Sequence, residues 1–182
     1  LTVDFGTPIP EDLLSRVLRP YMPGCKYLKR AWCALPEPGT DHLVRLTGEL
    51  GIESSCYIED TGHFNAVEFN ISFNQLIYTL LGYCVTENIL PVFESMSFEE
   101  FLARQLPDVL IHKFGSKFRR PMNSRSYRGF VEITDAVDRG PFIIVNTICR
   151  FEDDAGGNSH GEVRLAILNG PVSVDERGSG RS

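Results

Sequence analysis

No apolar run in the 182-residue chain approaches the roughly 20 residues of a membrane-spanning helix, so no membrane span is expected. The chain also lacks a C-x-x-C pair. Its cysteines, Cys25, Cys33, Cys56, Cys84 and Cys149, are odd in number and widely spaced, which excludes a disulfide framework and points to a reducing cytoplasm. His42, His63, His112 and His160 are too scattered for metal-ligand spacing, so no metal is expected. The G-x-S-x-G letters occur at Gly157-Asn158-Ser159-His160-Gly161, but between two strand patterns rather than at the strand-to-helix turn an elbow needs, and no cysteine has a histidine-paired context, so Ser or Cys nucleophiles find little support. No glycine-rich loop precedes a helix as a phosphate cradle. Basic residues are scarce relative to acids, 18 against 24, and the net charge of -6 argues against broad nucleic-acid binding.

The chain is of a length for one domain, expected over residues 1–172. The residues after it, 173–182, have nothing to bury and are expected to form a disordered tail. The chain opens at Leu1 with no basic-then-apolar signal segment, and because Leu1 is not Met, some N-terminal sequence is expected to be missing from it.

The organisation present is a helix, two strands, a long helix, a capped helix and four strands. Pro10-Glu11-Asp12 opens a short amphipathic helix that Pro20 ends. Cys25 to Ala34 and His42 to Leu50 read as strands around a turn-rich link. The long helix is predicted over Val67 to Leu81, stopping at Gly82, and Ser97 to Glu100 is a capping box for the helix that Pro107 terminates. Val109 to Phe118, Tyr127 to Thr134, Phe142 to Phe151 and Gly161 to Leu168 carry strand patterns. A helix that is apolar on most sides must be enclosed. The expected class is therefore α+β, with one antiparallel sheet wrapped around a long central helix, the hot-dog architecture.

That helix nevertheless carries Glu68, Asn70, Asn74, Gln75 and Tyr78, and each buried hydrogen-bonding side chain needs a partner or costs a few kcal/mol. The excess suggests a lined site. His63 stands just before the helix, whose N-terminal amides favour developing negative charge, and Gly62 permits close approach. It reads either as an ordinary surface histidine or as a general acid or base. Glu68 is a candidate base or amine contact, with a salt bridge as the alternative. Asn65 and Asn74 can donate to an oxyanion, while Tyr21 and Tyr57 can donate or accept. Ser72 and Thr79 read as structural hydrogen-bonding residues. Lys113, Lys117, Arg119 and Arg120 interleave with aromatics; they are either snorkelling stems on an exposed strand or cations for coenzyme A, a carrier's phosphopantetheine and acidic surface, or a substrate carboxylate.

The stretch from Tyr57 to Leu81, with Thr61-Gly62-His63-Phe64-Asn65-Ala66-Val67-Glu68 and Phe73-Asn74-Gln75-Leu76, closely resembles the FcoT-like hot-dog family. Arg16 to Tyr21, Ser116 to Pro121 and Gly161 to Asn169 extend the resemblance over most of the chain. The resemblance implies fatty acyl thioester hydrolysis or, as in isonitrile lipopeptide clusters, conjugate addition of glycine to a (2E)-enoyl thioester. The acyl group would ride on the phosphopantetheine of acyl carrier protein or on coenzyme A, with no other cofactor, in a homo-oligomer of two or more copies. Family site residues fall on Tyr21, Tyr57, Asn65 and Asn74; the proton-transfer roles of His63 and Glu68 are chemical inference. Gly62-His63-Phe64 also looks like the Gly-His-Phe of hot-dog β-hydroxyacyl dehydratases, which work on the same α,β bond. A non-catalytic acyl-binding module is the remaining reading.

Overall fold

The computed structural model describes residues 5–55, 57–59 and 62–169. The expected tail, Leu1, Cys56 and Thr61 lie outside the described residues. The elements are β1 (Thr7–Pro8), α1 (Glu11–Val17), β2 (Leu28–Ala34), β3 (Val44–Leu50), α2 (Ala66–Thr86), α3 (Phe98–Arg104), β4 (Val109–Arg120), β5 (Tyr127–Asp138), β6 (Phe142–Glu152) and β7 (Asn158–Leu168). All the strands pair antiparallel in one sheet of order β1-β2-β3-β5-β6-β7-β4.

Alternation fixes which face of this sheet turns inward. Val131 and Ile133 of β5, Val145, Cys149 and Phe151 of β6, and Val163 and Leu165 of β7 are buried, while Arg150, Glu162 and Arg164 between them are exposed. α2 packs on the inward face. Its Phe69, Phe73, Leu76, Ile77, Leu80 and Leu81 are at most 1% exposed, and each such side chain contributes about 1.5–3 kcal/mol through burial. The helix lies close because Gly48 and Gly129 face each other across β3 and β5. A Cβ on Gly48 would meet Leu76 Cδ2 at 2.7 Å, and one on Gly129 would meet Leu76 Cδ1 at 3.1 Å. The two glycines form a trough for that leucine. The expected hot-dog arrangement, sheet around helix, is the one observed.

The central helix does not stop at Gly82; it continues to Thr86. The glycine serves space rather than termination, since a Cβ there would come within 3.1–3.2 Å of Phe101, Phe98 and Val17. α1 and α3 cross α2 at this point. β2 begins at Leu28 rather than Cys25, because Pro23–Cys25 form a 3-10 turn. Gln75 secures that turn: its Oε1 accepts from Tyr27 N–H and Leu28 N–H at 2.9 Å each, and its Nε2 donates to the Cys25 carbonyl. β5 runs past Thr134 to Asp138 through an irregularity between Ile133 and Asp135. Among the described residues no helix is long and apolar enough to cross a membrane.

β4 is the sheet's outer strand on one side, paired only with β7. Nearly all of its length is exposed, including Leu110, Ile111, Phe114 and Phe118. Phe114 and Phe118 still touch the helix, each with its ring centroid 5.7 Å from that of Phe69. Beside them the first half of α2 shows Val67, 46% exposed, and half-buried Asn70, Ile71 and Asn74.

Candidate active site at the start of the central helix

The site is built where residues 62–65 lead into α2. Gly62 takes φ +76°, a backbone conformation that side chains disfavour, while nothing crowds its missing Cβ. Phe64, two residues on, is buried among Phe69, Tyr127 and Phe151, with ring centroids at 6.2, 4.9 and 5.4 Å. Its N–H donates to the Met122 carbonyl at 3.1 Å. His63 is thereby held between a left-handed turn and an anchored aromatic ring, with its own side chain exposed.

Met122 is itself placed from the far hairpin. Asp153 accepts the Asn123 N–H at 2.6 Å and, through its other oxygen, the N–H groups of Ala155 and Gly157 at 2.9 and 2.8 Å. These backbone donors, that of Asn123 foremost, hold its carboxyl below the usual aspartate range.

Asn65 is the N-cap of α2. Its Oδ1 accepts from Val67 N–H at 2.9 Å and Glu68 N–H at 3.3 Å, while Glu68 Oε2 accepts the Asn65 N–H at 3.1 Å. This is a reciprocal capping box. The Tyr57 hydroxyl donates to the same Oδ1 at 2.9 Å. Three donors on one oxygen fix which way the amide faces, so Nδ2 is the group turned away from the cap. Neither Asn65 Nδ2 nor the Ala66 N–H has a hydrogen-bond partner among the described residues. Both residues line a cavity of about 400 Å³ together with His63, Phe118, Arg119 and Pro121.

Two adjacent N–H donors at a helix N-terminus, beside a histidine, suit an oxygen that gains negative charge. Most other helix-start amides are already used: those of Val67 and Glu68 by the cap and that of Phe69 by the Asn65 carbonyl. Glu68 is only 3% exposed and its carboxylate serves the cap. Glu68, which the sequence offers as a base, an amine contact or a salt-bridge partner, is placed by the structure in the cap with the Asn65 N–H.

The predicted residues fall into separate places. His63, Tyr57, Asn65 and Glu68 gather at the helix start, joined by Arg119 and Arg120 from the end of β4. Asn74 lies nine residues further along α2, about 13 Å at 1.5 Å per residue. Tyr21 follows α1 and packs against the core, where burial and the neighbouring Tyr78 push its phenol above the usual range. Within one chain, then, Asn74 and Tyr21 do not join the first group. Lys113 borders a different depression with Thr134 and Arg164, and Lys117 pairs in register with His160. Ser72 bonds the Tyr127 hydroxyl at 2.8 Å and Thr79 bonds its own helix, as structural residues do. Burial pushes the Cys33 and Cys149 thiols up to about 12, which makes them poor nucleophiles.

Sequence reasoning missed the Ala66 N–H, which has no side-chain signature, and Phe118 and Pro121 as cavity walls. The Asn65-x-x-Glu68 spacing was a legible capping signal.

A family model described as an FcoT-like thioesterase domain matches residues 16–167. A relative from Streptomyces coeruleorubidus, named (2E)-enoyl-[ACP] glycyltransferase, is 42% identical over 166 residues, covering 88% of this chain and 98% of its own. A Mycobacterium tuberculosis relative of the same name is 37% identical over 168 residues, with 90% of each covered. Among solved structures, a virulence protein from Campylobacter jejuni superposes with a TM-score of 0.49 at 8% identity, over 93% of this chain and 98% of that one.

Proposed function

The chain belongs to the FcoT-like thioesterase family, and from that premise we propose that it adds glycine to the β-carbon of a (2E)-enoyl group carried as a thioester on acyl carrier protein. The observation that carries the proposal is the pair of donors without partners, Asn65 Nδ2 and Ala66 N–H, in one cavity with His63. The relatives' shared name supports glycine as the nucleophile.

The chemistry follows from the placement. The thioester oxygen sits against the two donors. His63 takes a proton from the glycine ammonium, and the free amine attacks Cβ, forming the N–Cβ bond. The alkene π electrons move to the Cα–C–O system, leaving an enolate oxygen that the two N–H groups stabilise. Each such donor is worth about 2.7–4 kcal/mol in comparable sites. Loss of a proton from nitrogen and gain of one at Cα complete a 3-(carboxymethylamino)acyl thioester, with the carrier still attached. Tyr57 donates to Asn65 Oδ1 and so strengthens the opposite end of that amide as a donor. No cofactor is required beyond the phosphopantetheine that holds the acyl chain. Such chemistry belongs in the cytoplasm, where carrier-bound acyl chains are made.

Hydrolysis is the second reading, favoured by the family's description. It needs the same oxyanion donors but aims water at the carbonyl carbon. Intact-mass measurement separates the two. A carrier loaded with a 2-enoyl chain should gain one glycine, only when glycine is present, and keep its thioester. Release of free acid unaffected by glycine means hydrolysis; tight acyl binding without product means a non-catalytic module.

We further propose a homodimer joined along β4. A long apolar edge with Leu110, Ile111 and Phe114 exposed needs a cover, and a second β4 offers an antiparallel one. The Oδ1 of Asn70, buried without a partner, lies on the same side of α2 as Val67 and Asn74. Pairing about a two-fold axis would set the two α2 helices antiparallel, bringing Asn74 and Tyr21 of one copy towards His63 of the other. Light scattering should give twice the chain mass, and Ile111→Lys should give a folded monomer with turnover reduced about tenfold or more. A fully active monomer would reject the dimer.

A further inference from the structure

The outer face of the sheet, which the chemistry above does not use, holds a second and larger concavity of about 1000 Å³. Its walls include Arg119, Arg120, Arg150, His160, Phe130 and Ile148. Register explains why these meet: Phe130 lies opposite Arg150, Arg150 opposite His160, and His160 opposite Lys117, one row running across four strands. The neighbouring row places Ile148 between Glu132 and Glu162. Among the described residues that line the groove, Glu162 is the one acid beside three arginines, on a chain whose net charge is -6. Arg150 pairs with Glu152 at 3.2 Å, but both are about half exposed, and such a surface pair is exchanged at little cost. Arg119 and Arg120 have no ion pair among the described residues and border both this groove and the His63 cavity.

We propose that this groove is the docking surface for the acyl carrier protein, deepening the glycine-addition reading on which it rests. A carrier is a small acidic helical protein whose arm leaves it through a phosphodiester. With its acidic helix across Arg150 and His160, the phosphodiester comes over Arg119 and Arg120, and the arm turns past Pro121 into the His63 cavity. Local charge complementarity must supply the attraction, because both proteins are acidic overall and would otherwise repel. The groove is broad and open, which suits a protein surface better than a nucleotide.

The test compares one enoyl group on three handles: holo acyl carrier protein, coenzyme A and pantetheine. Arg150→Glu should raise KM for the carrier-bound substrate about tenfold or more with kcat held, and leave the pantetheine-bound substrate unchanged. Arg150→Gln should fall between. Thermal melting shows that both are folded. An unchanged carrier KM, or an equal rise for coenzyme A, overturns the proposal. Direct binding of fluorescently labelled holo carrier separates this from failure of the chemistry. If the wild type forms no glycine adduct but binds carrier about tenfold more tightly than Arg150→Glu, docking stands and the reaction is wrong. Equal binding, or no binding by either, overturns docking.

Discussion

Asn65→Asp should lose about 10²–10³ in kcat for glycine addition while its melting temperature stays close to that of the wild type. The expectation rests on the two ends of one amide doing different work. Oδ1 closes the cap on Val67 and Glu68, and an aspartate oxygen can do this as well as asparagine's. The macrodipole at the helix start offsets the added charge beside Glu68. Nδ2 becomes an oxygen, however, so the cavity loses a donor and acquires an acceptor where negative charge must develop. Asn65→Ala loses both functions: a similar drop in kcat, together with about 0.5–2 kcal/mol of stability from the missing cap. For a chain of this size that is a few degrees in Tm, at about 2–4 °C per kcal/mol. Tyr57→Phe keeps the cap and only weakens the amide's polarisation, so its loss should be the smallest of the three. A folded Asn65→Asp variant with wild-type turnover would remove Asn65 from the reaction and leave it a capping residue alone.

The same residue shows how far the sequence could be read. Periodicity located α2 and its polar load, because a 3.6-residue pattern needs no tertiary knowledge. It could not apportion that load. Gln75 spends its whole amide on the turn before β2, and Ser72 on Tyr127, because chain segments about 50 residues away arrive there. Asn65 and Glu68 are candidates for chemistry in the sequence, although their spacing also spells a capping box, and the structure shows them forming that cap. Gly82 looked like a helix stop because glycine usually is one outside packed contexts, and only the crossing of α1 and α3 shows that the helix needs the room. Arg150 and His160 gave no signal, since their meeting depends on strand register rather than on neighbours in sequence. The Lys113 to Arg120 run is legible as cationic, yet of its cations only Arg119 and Arg120 reach the cavity.

His63→Ala should lower turnover with glycine by about 10²–10⁴, the range for removal of a general base. Its side chain is exposed, so stability should barely change. Loss of rate alone would not say what the imidazole does, because a residue that merely orients the thioester could cost as much. The discriminating reagent is a nucleophile that arrives already neutral. Glycine at pH 7 is an ammonium ion that must surrender a proton before its lone pair can attack. Aminooxyacetate keeps the carboxylate and similar reach, but its oxyamine is uncharged at that pH. If His63 accepts the proton from glycine, the variant should add aminooxyacetate at a rate close to the wild type's, losing far less than it does with glycine. Equal losses with both nucleophiles would assign His63 to holding the enoyl thioester instead. The proton at Cα would then be the step to probe, by deuterium incorporation from solvent. The anchoring of Phe64 matters here too: with the Phe64 N–H on Met122 and Gly62 in its left-handed turn, the imidazole is set at the cavity edge before substrate arrives. If His63 is the base, that preorganisation would let one exposed histidine act on a bound ammonium rather than compete with water for it.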